Sequence, residues 1–193
     1  MTGSLAFRKN ESSIRSGAVP DKFLRLLPYI PRGRILEVGS AEGVLALLLA
    51  KRGDQVTALE KSAERHDVAQ QLYSEWLARE EGFTPPQFVN GSIQDNLGLL
   101  DNKDTFVAIR AIYYFGVYLD SVFAEVARKV QNVVLCGNRN RAERWRQGNP
   151  DPPLGDMNRY ATREGMVSLL EKHGFRIVSE VREGDEIVVG RRD

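Results

Sequence analysis

The chain has 193 residues, of which 42% are hydrophobic, and its formal net charge is +1. That length suits one sizeable hydrophobic core and is short for two, and the near-neutral charge disfavours a broad polyanion-binding surface. The single cysteine excludes an internal disulfide framework, and without a run of about 18 apolar residues the sequence predicts a cytoplasmic protein with no membrane segment.

The N-terminal residues are mostly polar, and we expect a polar, mobile arm over residues 1–18. A helix is predicted from Val19 to Leu27, because Pro20 suits a first helical turn and the apolar residues that follow lie on one face. Pro28 ends this helix, so the first strand begins after it.

Residues 34–48 read as a buried strand, a glycine-bearing turn and an apolar helix. Gly39 and Gly43 in the turn leave room for a ligand against the backbone and direct helix N–H groups at it. A dinucleotide fingerprint is excluded because Ala41 and Val44 replace its second and third glycines, and no Gly-Lys-Ser/Thr follows to make a P-loop. The pattern predicts a different nucleotide-type ligand.

Glu37 lies just before this turn and narrows the choice of ligand. A carboxylate there repels a pyrophosphate but attracts an ammonium group. S-adenosylmethionine carries both an ammonium group and a sulfonium, so it is the predicted cofactor.

The segment Glu37-Val38-Gly39-Ser40-Ala41-Glu42-Gly43 resembles the first motif of class I S-adenosylmethionine-dependent methyltransferases, with Ala41 in place of the middle glycine. The resemblance implies that Glu37 lies near the methionine amino group. A second strand over residues 55–60 ends at Glu60, about twenty residues beyond the turn, as a βαβ unit requires. The resemblance assigns Glu60 to both ribose hydroxyls, and the alternative is that Glu60 only ends the strand while Ser62 caps the next helix.

The rest of the chain alternates helices and strands. This alternation predicts an α/β fold, a three-layer α/β/α sandwich with a Rossmann-like, mostly parallel seven-stranded sheet and an antiparallel last strand. We expect a single methyltransferase domain over residues 1–193, with residues 149–160 as a candidate lid. Helices are predicted over 63–80, 119–130 and 162–173, and strands over 87–90, 105–109, 133–136, 176–181 and 186–189.

The segment after the third strand, Asn90 to Asp95, resembles the family's adenine-binding loop. Ser92 stands where many members have aspartate, Ile93 fits as the apolar cover of the ring, and Asp95 is a candidate to replace the missing carboxylate. The alternative is that Ser92 and Asp95 are ordinary turn residues.

Arg110 follows the fourth strand, at the edge where open α/β sheets bind ligands. Burying an arginine without a partner costs roughly several kcal/mol. We therefore expect Arg110 to pair with Glu37, the cofactor carboxylate or an anionic acceptor, and the alternative is a structural ion pair. For both Tyr113 and Tyr114 the sequence leaves two alternatives open, packing in the core and contact with the acceptor. The predicted cofactor contacts are Glu37, Gly39, Ser40, Ala41, Gly43, Glu60, Lys61, Ser92, Ile93 and Arg110.

Four arginines lie in the predicted loop after the fifth strand, residues 137–146. They could bind an anionic or polyhydroxylated acceptor through forked hydrogen bonds, and the alternative is a solvated basic loop. The predicted acceptor contacts are Tyr113, Tyr114, Arg139, Arg141, Arg144, Arg159 and Tyr160.

Methyl transfer from a sulfonium needs alignment of donor and acceptor, and a base only when the acceptor must lose a proton. The candidates for such a base are Asp95, Tyr113 and Tyr114, and no metal site is predicted. The sequence favours a methyltransferase acting on a small polar or glycan-like acceptor. The alternatives are an RNA methyltransferase and an S-adenosylmethionine-binding protein without transferase activity. The oligomeric state does not follow from the sequence.

Overall fold

The computed structural model describes residues 3–79, 82, 84–181 and 184–192. It has two compact units, Met1–Leu99 and Leu100–Asp193. Its seven strands, mostly parallel with an antiparallel last strand, confirm the predicted Rossmann-like α/β fold class, whereas the single domain over residues 1–193 stays a prediction. Among the residues described, none of the helices has the length and apolar character needed to cross a membrane.

The first unit contains a parallel sheet in which one strand lies between the other two. The strands run in the order β3, β2, β1, and the partners Val38–Leu59 and Glu60–Asn90 bring the carboxyl ends of all three to one edge. The elements are α1 (Leu5–Arg15), α2 (Asp21–Leu24), a 3₁₀ turn (Leu27–Tyr29), β1 (Arg34–Val38), α3 (Val44–Lys51), β2 (Gln55–Glu60), α4 (Ala63–Leu77) and β3 (Gln87–Asn90).

Helix α1 lies within residues 1–18, where the sequence predicts a polar, mobile arm. Phe7 and Ile14, two helical turns apart, are buried in the core that includes Trp76 of α4, and the Trp76 indole Nε1–H donates to the Ile14 carbonyl at 3.1 Å. The Ser4 hydroxyl caps the helix by accepting from the Phe7 N–H at 3.1 Å. The prediction was wrong because the segment is mostly polar and its apolar residues, Leu5, Ala6, Phe7 and Ile14, give too weak a periodicity to indicate a helix.

The start of α1 is also fastened to the turn after β1. The Ser4 backbone N–H and hydroxyl both donate to the Glu42 carboxylate, the hydroxyl at 3.0 Å. Glu42 is only 5% exposed, so this pair ties the start of α1 to the glycine-bearing turn.

Helix α3 is apolar on every side and is buried from Val44 to Ala50. Gly43 precedes it with a φ of 71°, and a Cβ at that position would lie 2.6 Å from Phe88 Cε1 and 3.0 Å from Ala69 Cβ. The glycine therefore permits the close packing of α3 against β3 and α4.

Replacing Gly43 with alanine is expected to lower the free energy of unfolding by about 1–3 kcal/mol, the cost of overpacking a core. Urea denaturation measures this loss. Gly53→Ala is the matched control, because Gly53 also has a positive φ of 95° but nothing lies within 4 Å of its added Cβ. Equal losses in the two variants would show that backbone conformation alone, and not packing, requires Gly43.

The second unit contains four strands in the order β4, β5, β7, β6, with β7 antiparallel to both neighbours. Most predicted bounds agree to within a few residues, although α2 is shorter than predicted and α4 ends at Leu77. Glu80, the predicted end of α4, lies outside the described residues. The elements are β4 (Thr105–Ile109), α5 (Leu119–Lys129), β5 (Asn132–Cys136), α6 (Arg139–Arg146), α7 (Arg163–Lys172), β6 (Arg176–Val181) and β7 (Ile187–Arg191).

The arginine-rich segment after β5 is the helix α6 and not the predicted loop. Arginine, alanine and glutamate favour helices, and the Asn138 side chain caps the first turn by accepting from the Arg141 N–H at 3.2 Å. The predicted loop was wrong because helix propensity and the Asn138 cap outweigh the repulsion among the arginines of this segment.

Candidate functional site

The turn after β1 has an unusual backbone. Gly39, Ala41 and Gly43 have φ values of 74°, 51° and 71°, and left-handed conformation is uncommon for alanine. The N–H groups of Gly39 and Ser40 both donate to the Leu59 carbonyl, at 2.8 and 3.2 Å. The turn is thereby wrapped around the carboxyl end of β2, and strain of this kind clusters at functional sites.

Glu60 holds the turn from the other side. One carboxylate oxygen accepts the Ala41 N–H and the other accepts the Ser62 N–H, both at 2.8 Å, and Glu60 is 8% exposed. Each oxygen has a second lone pair, so the carboxylate is fixed in orientation and can still accept two hydroxyl groups. Ser62 does cap α4, since its side chain accepts from the Arg65 N–H at 3.4 Å. Lys61 is exposed.

Glu37 is buried at the end of β1, and only one of its carboxylate oxygens is satisfied. Burial, and after it the charge of Glu60, raises the pKa of the Glu37 carboxyl to about 8, against a lowering by a hydrogen bond from the Ala46 backbone N–H. Glu37 Oε2 and the nearby Ser40 hydroxyl have no hydrogen-bond partner among the described residues. A buried acceptor left in this state calls for an explanation, and a cationic ligand would provide one.

Glu37→Gln tests the ionisation of Glu37 in the folded protein. Because the pKa is about 8 in the folded chain and near its ordinary 4.5 when unfolded, the unfolded chain loses this proton first, and stability falls as pH rises between those values. The slope has a ceiling of about 1.4 kcal/mol per pH unit for one proton. Thermal melts from pH 5 to pH 9 should show Glu37→Gln gaining stability relative to the parent protein as pH rises.

The exposed Glu64 on α4 supplies a matched control for this experiment. Glu64→Gln removes a carboxylate from an exposed position, and its stability relative to the parent is measured over the same pH range. If the two differences from the parent change with pH in the same way, Glu37 is not held protonated by burial.

The loop after β3 is internally bonded. The Ser92 hydroxyl donates to the Asp95 carboxylate, and the Asn96 side-chain amide donates to the Ser92 carbonyl at 2.8 Å. Ile93 is 2% exposed and therefore packed into the unit. Asn90 joins this loop to β2, because its side-chain amide donates to the Glu60 carbonyl at 2.8 Å. The contact between Ser92 and Asp95 fits both an adenine-binding loop and an ordinary turn, so their role stays a prediction.

Arg110 pairs with Asp185, a residue that the sequence analysis missed. The Arg110 Nε–H donates to an Asp185 carboxylate oxygen at 2.7 Å, and the other oxygen accepts the Arg139 backbone N–H at 3.2 Å. This geometry matches the alternative of a structural ion pair. Seventy-five positions separate the partners, and no local pattern marks Asp185, so the cofactor role of Arg110 stays a prediction.

Tyr113 and Tyr114 have different environments. Tyr113 is 2% exposed, and burial raises the pKa of its phenol well above the ordinary value. Tyr114 is 63% exposed. The centroids of the two rings are 4.8 Å apart. The Arg141 guanidinium lies 4.6 Å from the Tyr113 ring centroid and 5.7 Å from the Tyr114 ring centroid. Tyr113 is thus a core residue, and only Tyr114 presents its ring to solvent.

Arg141 connects these tyrosines to the candidate lid. Its Nη1 donates to Asp151 at 2.6 Å and to the buried Asn158 side chain at 3.1 Å, while Arg144 Nη2 holds the second Asp151 oxygen at 2.5 Å. Arg139 faces solvent and pairs with Glu143 one turn away. All three predicted acceptor arginines on α6 are therefore already charge-paired within the unit, two of them to Asp151.

Arg159 and Tyr160 lie together in the 3₁₀ segment Pro152–Ala161. Arg159 Nη2 donates to the Tyr160 hydroxyl at 2.5 Å, and its guanidinium lies 4.7 Å from the Tyr160 ring centroid. Asn158 anchors the segment, because its side-chain amide donates to the Gly155 and Asp151 carbonyls at 2.7 and 3.0 Å. This anchoring fixes the segment beside α6.

The chain belongs to the family described as methyltransferase domain, which it matches over residues 12–180. The family predicted from the segment Glu37 to Gly43 is therefore confirmed. A comparison with curated proteins finds no match.

Solved structures support the same fold. Magnesium protoporphyrin IX methyltransferase from Synechocystis PCC 6803 with bound S-adenosylmethionine is 18% identical, with a TM-score of 0.64 over 100% of this chain and 87% of that one. The N-terminal domain of EvdMO1, solved in the presence of S-adenosylhomocysteine and D-fucose, is 17% identical, with a TM-score of 0.61 over 90% and 82%. A third solved structure concerns the conversion of a disulfide bond into a thioacetal group during echinomycin biosynthesis. That protein is 19% identical, with a TM-score of 0.63 over 94% of this chain and 91% of that one.

Proposed function

We propose that this methyltransferase uses S-adenosylmethionine and binds it at the edge formed by β1, β2 and β3. The observation that carries the proposal is the buried, unpartnered Oε2 of Glu37 beside a turn with three positive φ values. A buried carboxylate of this kind suits the cofactor's ammonium group, because an opposite charge would stabilise its ionised form.

The other residues of the edge fit the remaining parts of the cofactor. Glu60 is oriented to accept both ribose hydroxyls with its free lone pairs. In our proposal, Ser92 and Asp95 contact the adenine edge and Ile93 its apolar face. Gly43 supports the turn through packing, whereas Gly39, Ser40 and Ala41 face the cofactor. The bound cofactor supplies an electrophilic methyl group on sulfur, and the protein's share of the chemistry is to align the acceptor and exclude water.

The proposed acceptor is a small polar or glycan-like molecule. Tyr113 is a poor general base, because burial opposes formation of its phenolate, which leaves Asp95 and the exposed Tyr114 as the proposed candidates. EvdMO1 was solved together with a sugar, D-fucose, and this favours a glycan-like acceptor. Two arginines of α6 already form ion pairs with Asp151. The support for an RNA phosphate site is therefore weaker than the support for a glycan-like acceptor.

A screen of acceptors with isotope-labelled cofactor, read by mass shift, tests this proposal, together with calorimetry of cofactor binding. We expect micromolar binding of S-adenosylmethionine and transfer to a small polar acceptor. Tight binding of NAD instead would refute the cofactor assignment. Acceptor binding that falls log-linearly and steeply with salt would favour RNA, and cofactor binding without any transfer would favour the binding-protein alternative.

A further inference from the structure

An open cavity of about 250 Å³ lies in the second unit, beside the 3₁₀ turn Gly116–Tyr118 that follows β4. Its walls include Val117, Asp120, Asp156, Arg159, Tyr160 and Lys172. They come from three places in the unit: the turn and start of α5, the segment Pro152–Ala161 and the end of α7.

The charges around this cavity balance. Lys172 Nζ lies 2.6 Å from an Asp120 carboxylate oxygen, and His173 Nε2 lies 3.0 Å from the same oxygen. Asp156 is exposed and has no hydrogen-bond or ion-pair partner among the residues that the structure describes. Arg159, on the same 3₁₀ segment, donates to the Tyr160 hydroxyl. A ligand therefore meets both carboxylate acceptors and cationic donors on the walls of the cavity.

This arrangement selects against ligands with a single sign of charge. An anion is repelled by Asp120 and Asp156, and a cation by Arg159 and Lys172. A hydroxyl group fits both kinds of neighbour, because it donates to a carboxylate and accepts from a guanidinium or an ammonium. The charge pattern indicates a neutral ligand with several hydroxyl groups.

The apolar part of the wall supplies the second feature of such a ligand. Val117 is 91% exposed, and Tyr118 beside it is 51% exposed. Exposed apolar and aromatic side chains next to a cavity are typical of binding surfaces. A sugar ring combines hydroxyl groups at its rim with an apolar C–H face, and the cavity lies below the roughly 300–1,000 Å³ range of drug-sized pockets, which suits one ring.

We propose that this cavity binds one neutral sugar ring of the methyl acceptor. That this ring belongs to the methyl acceptor rests on the proposed function, whereas the sugar site itself rests on the cavity alone. Asp156 and Arg159 are the residues that contact the ring hydroxyls.

The test is a titration of the isotope-labelled full chain with D-fucose and methyl β-D-glucoside, followed by ¹H–¹⁵N spectra. We expect saturable millimolar binding that shifts the signals of Gly116, Val117 and Tyr160. Asp156→Asn and Arg159→Ala should each weaken it at least about fivefold, the loss of a charge-assisted hydrogen bond. The matched controls, Asp67→Asn and Arg128→Ala, change exposed residues outside the cavity and should bind like the parent.

Phosphate and D-glucuronate complete the experiment as anionic probes. Shifts with phosphate at the same residues, equal binding by cavity and control variants, or no shifts with either neutral sugar would each overturn the proposal. Calorimetry with S-adenosylmethionine separates the two hypotheses. Cofactor binding without sugar binding refutes the sugar site only, and sugar binding without cofactor binding refutes the proposed function only.

Discussion

Replacing Arg141 with alanine is expected to lower the free energy of unfolding by about 3 kcal/mol, the cost of breaking a largely buried ion pair and a cation–π contact. The side chain is 13% exposed and lies within 4.6 Å of the Tyr113 ring centroid. Its removal leaves Asp151 with Arg144 alone and deprives Asn158 of a donor. Urea denaturation followed by circular dichroism measures the loss.

Arg139→Ala is the control for this experiment, because Arg139 is a solvent-facing arginine on the same helix with one exposed partner. Such a pair is worth about 0.5 kcal/mol or less. Arg141→Lys should recover part of the stability, since lysine keeps the charge but not the planar fork. If Arg141→Ala and Arg139→Ala lose the same amount, Arg141 does not hold the segment Pro152–Ala161 in place.

Replacing Glu60 with alanine is expected to weaken binding of S-adenosylmethionine by about 1.5–3 kcal/mol, which is roughly 10- to 150-fold. The carboxylate is proposed to accept the ribose hydroxyls, and it also orients the turn by accepting the Ala41 N–H. Glu60→Gln keeps one oxygen acceptor, so it should bind with intermediate affinity. Isothermal titration calorimetry gives the affinities.

Glu64→Ala serves as the matched control, since Glu64 is exposed on the first turn of α4. Circular dichroism must show that each variant is folded, because Glu60 also accepts the Ser62 N–H. A folded Glu60→Ala protein that binds the cofactor as tightly as the parent would remove Glu60 from the site.

The elements in which apolar residues recur at a clear helix or strand spacing could be predicted from the sequence. Strands β3, β4 and β6 begin and end where the apolar and β-branched residues predict them, and Glu37 and Glu60 lie at adjacent strand ends because the spacing of a βαβ unit requires it. Local pattern was sufficient there. Helices α1 and α6 were missed because their segments are mostly polar and show little hydrophobic periodicity. Both helices are stabilised by N-caps, Ser4 in α1 and Asn138 in α6.

The partners of the arginines could not be predicted, for a different reason. Arg110 contacts Asp185, and Arg141 contacts Asp151 and the Tyr113 ring. These pairs join separate elements, and an isolated aspartate in a polar loop carries no mark of its distant partner. The sequence showed only that such arginines need a counter-charge, and tertiary structure decided which one.

The attachment of Ser4 to Glu42 bears on how the protein is handled in the laboratory. Both donors of Ser4 are used on a carboxylate of the turn that we propose faces the cofactor. An affinity tag or fluorescent protein fused close to Ser4 would therefore press against that turn and alter measured affinities. Arg191, exposed at the end of β7, is the better fusion point, and binding data from the two fusions should differ for this reason.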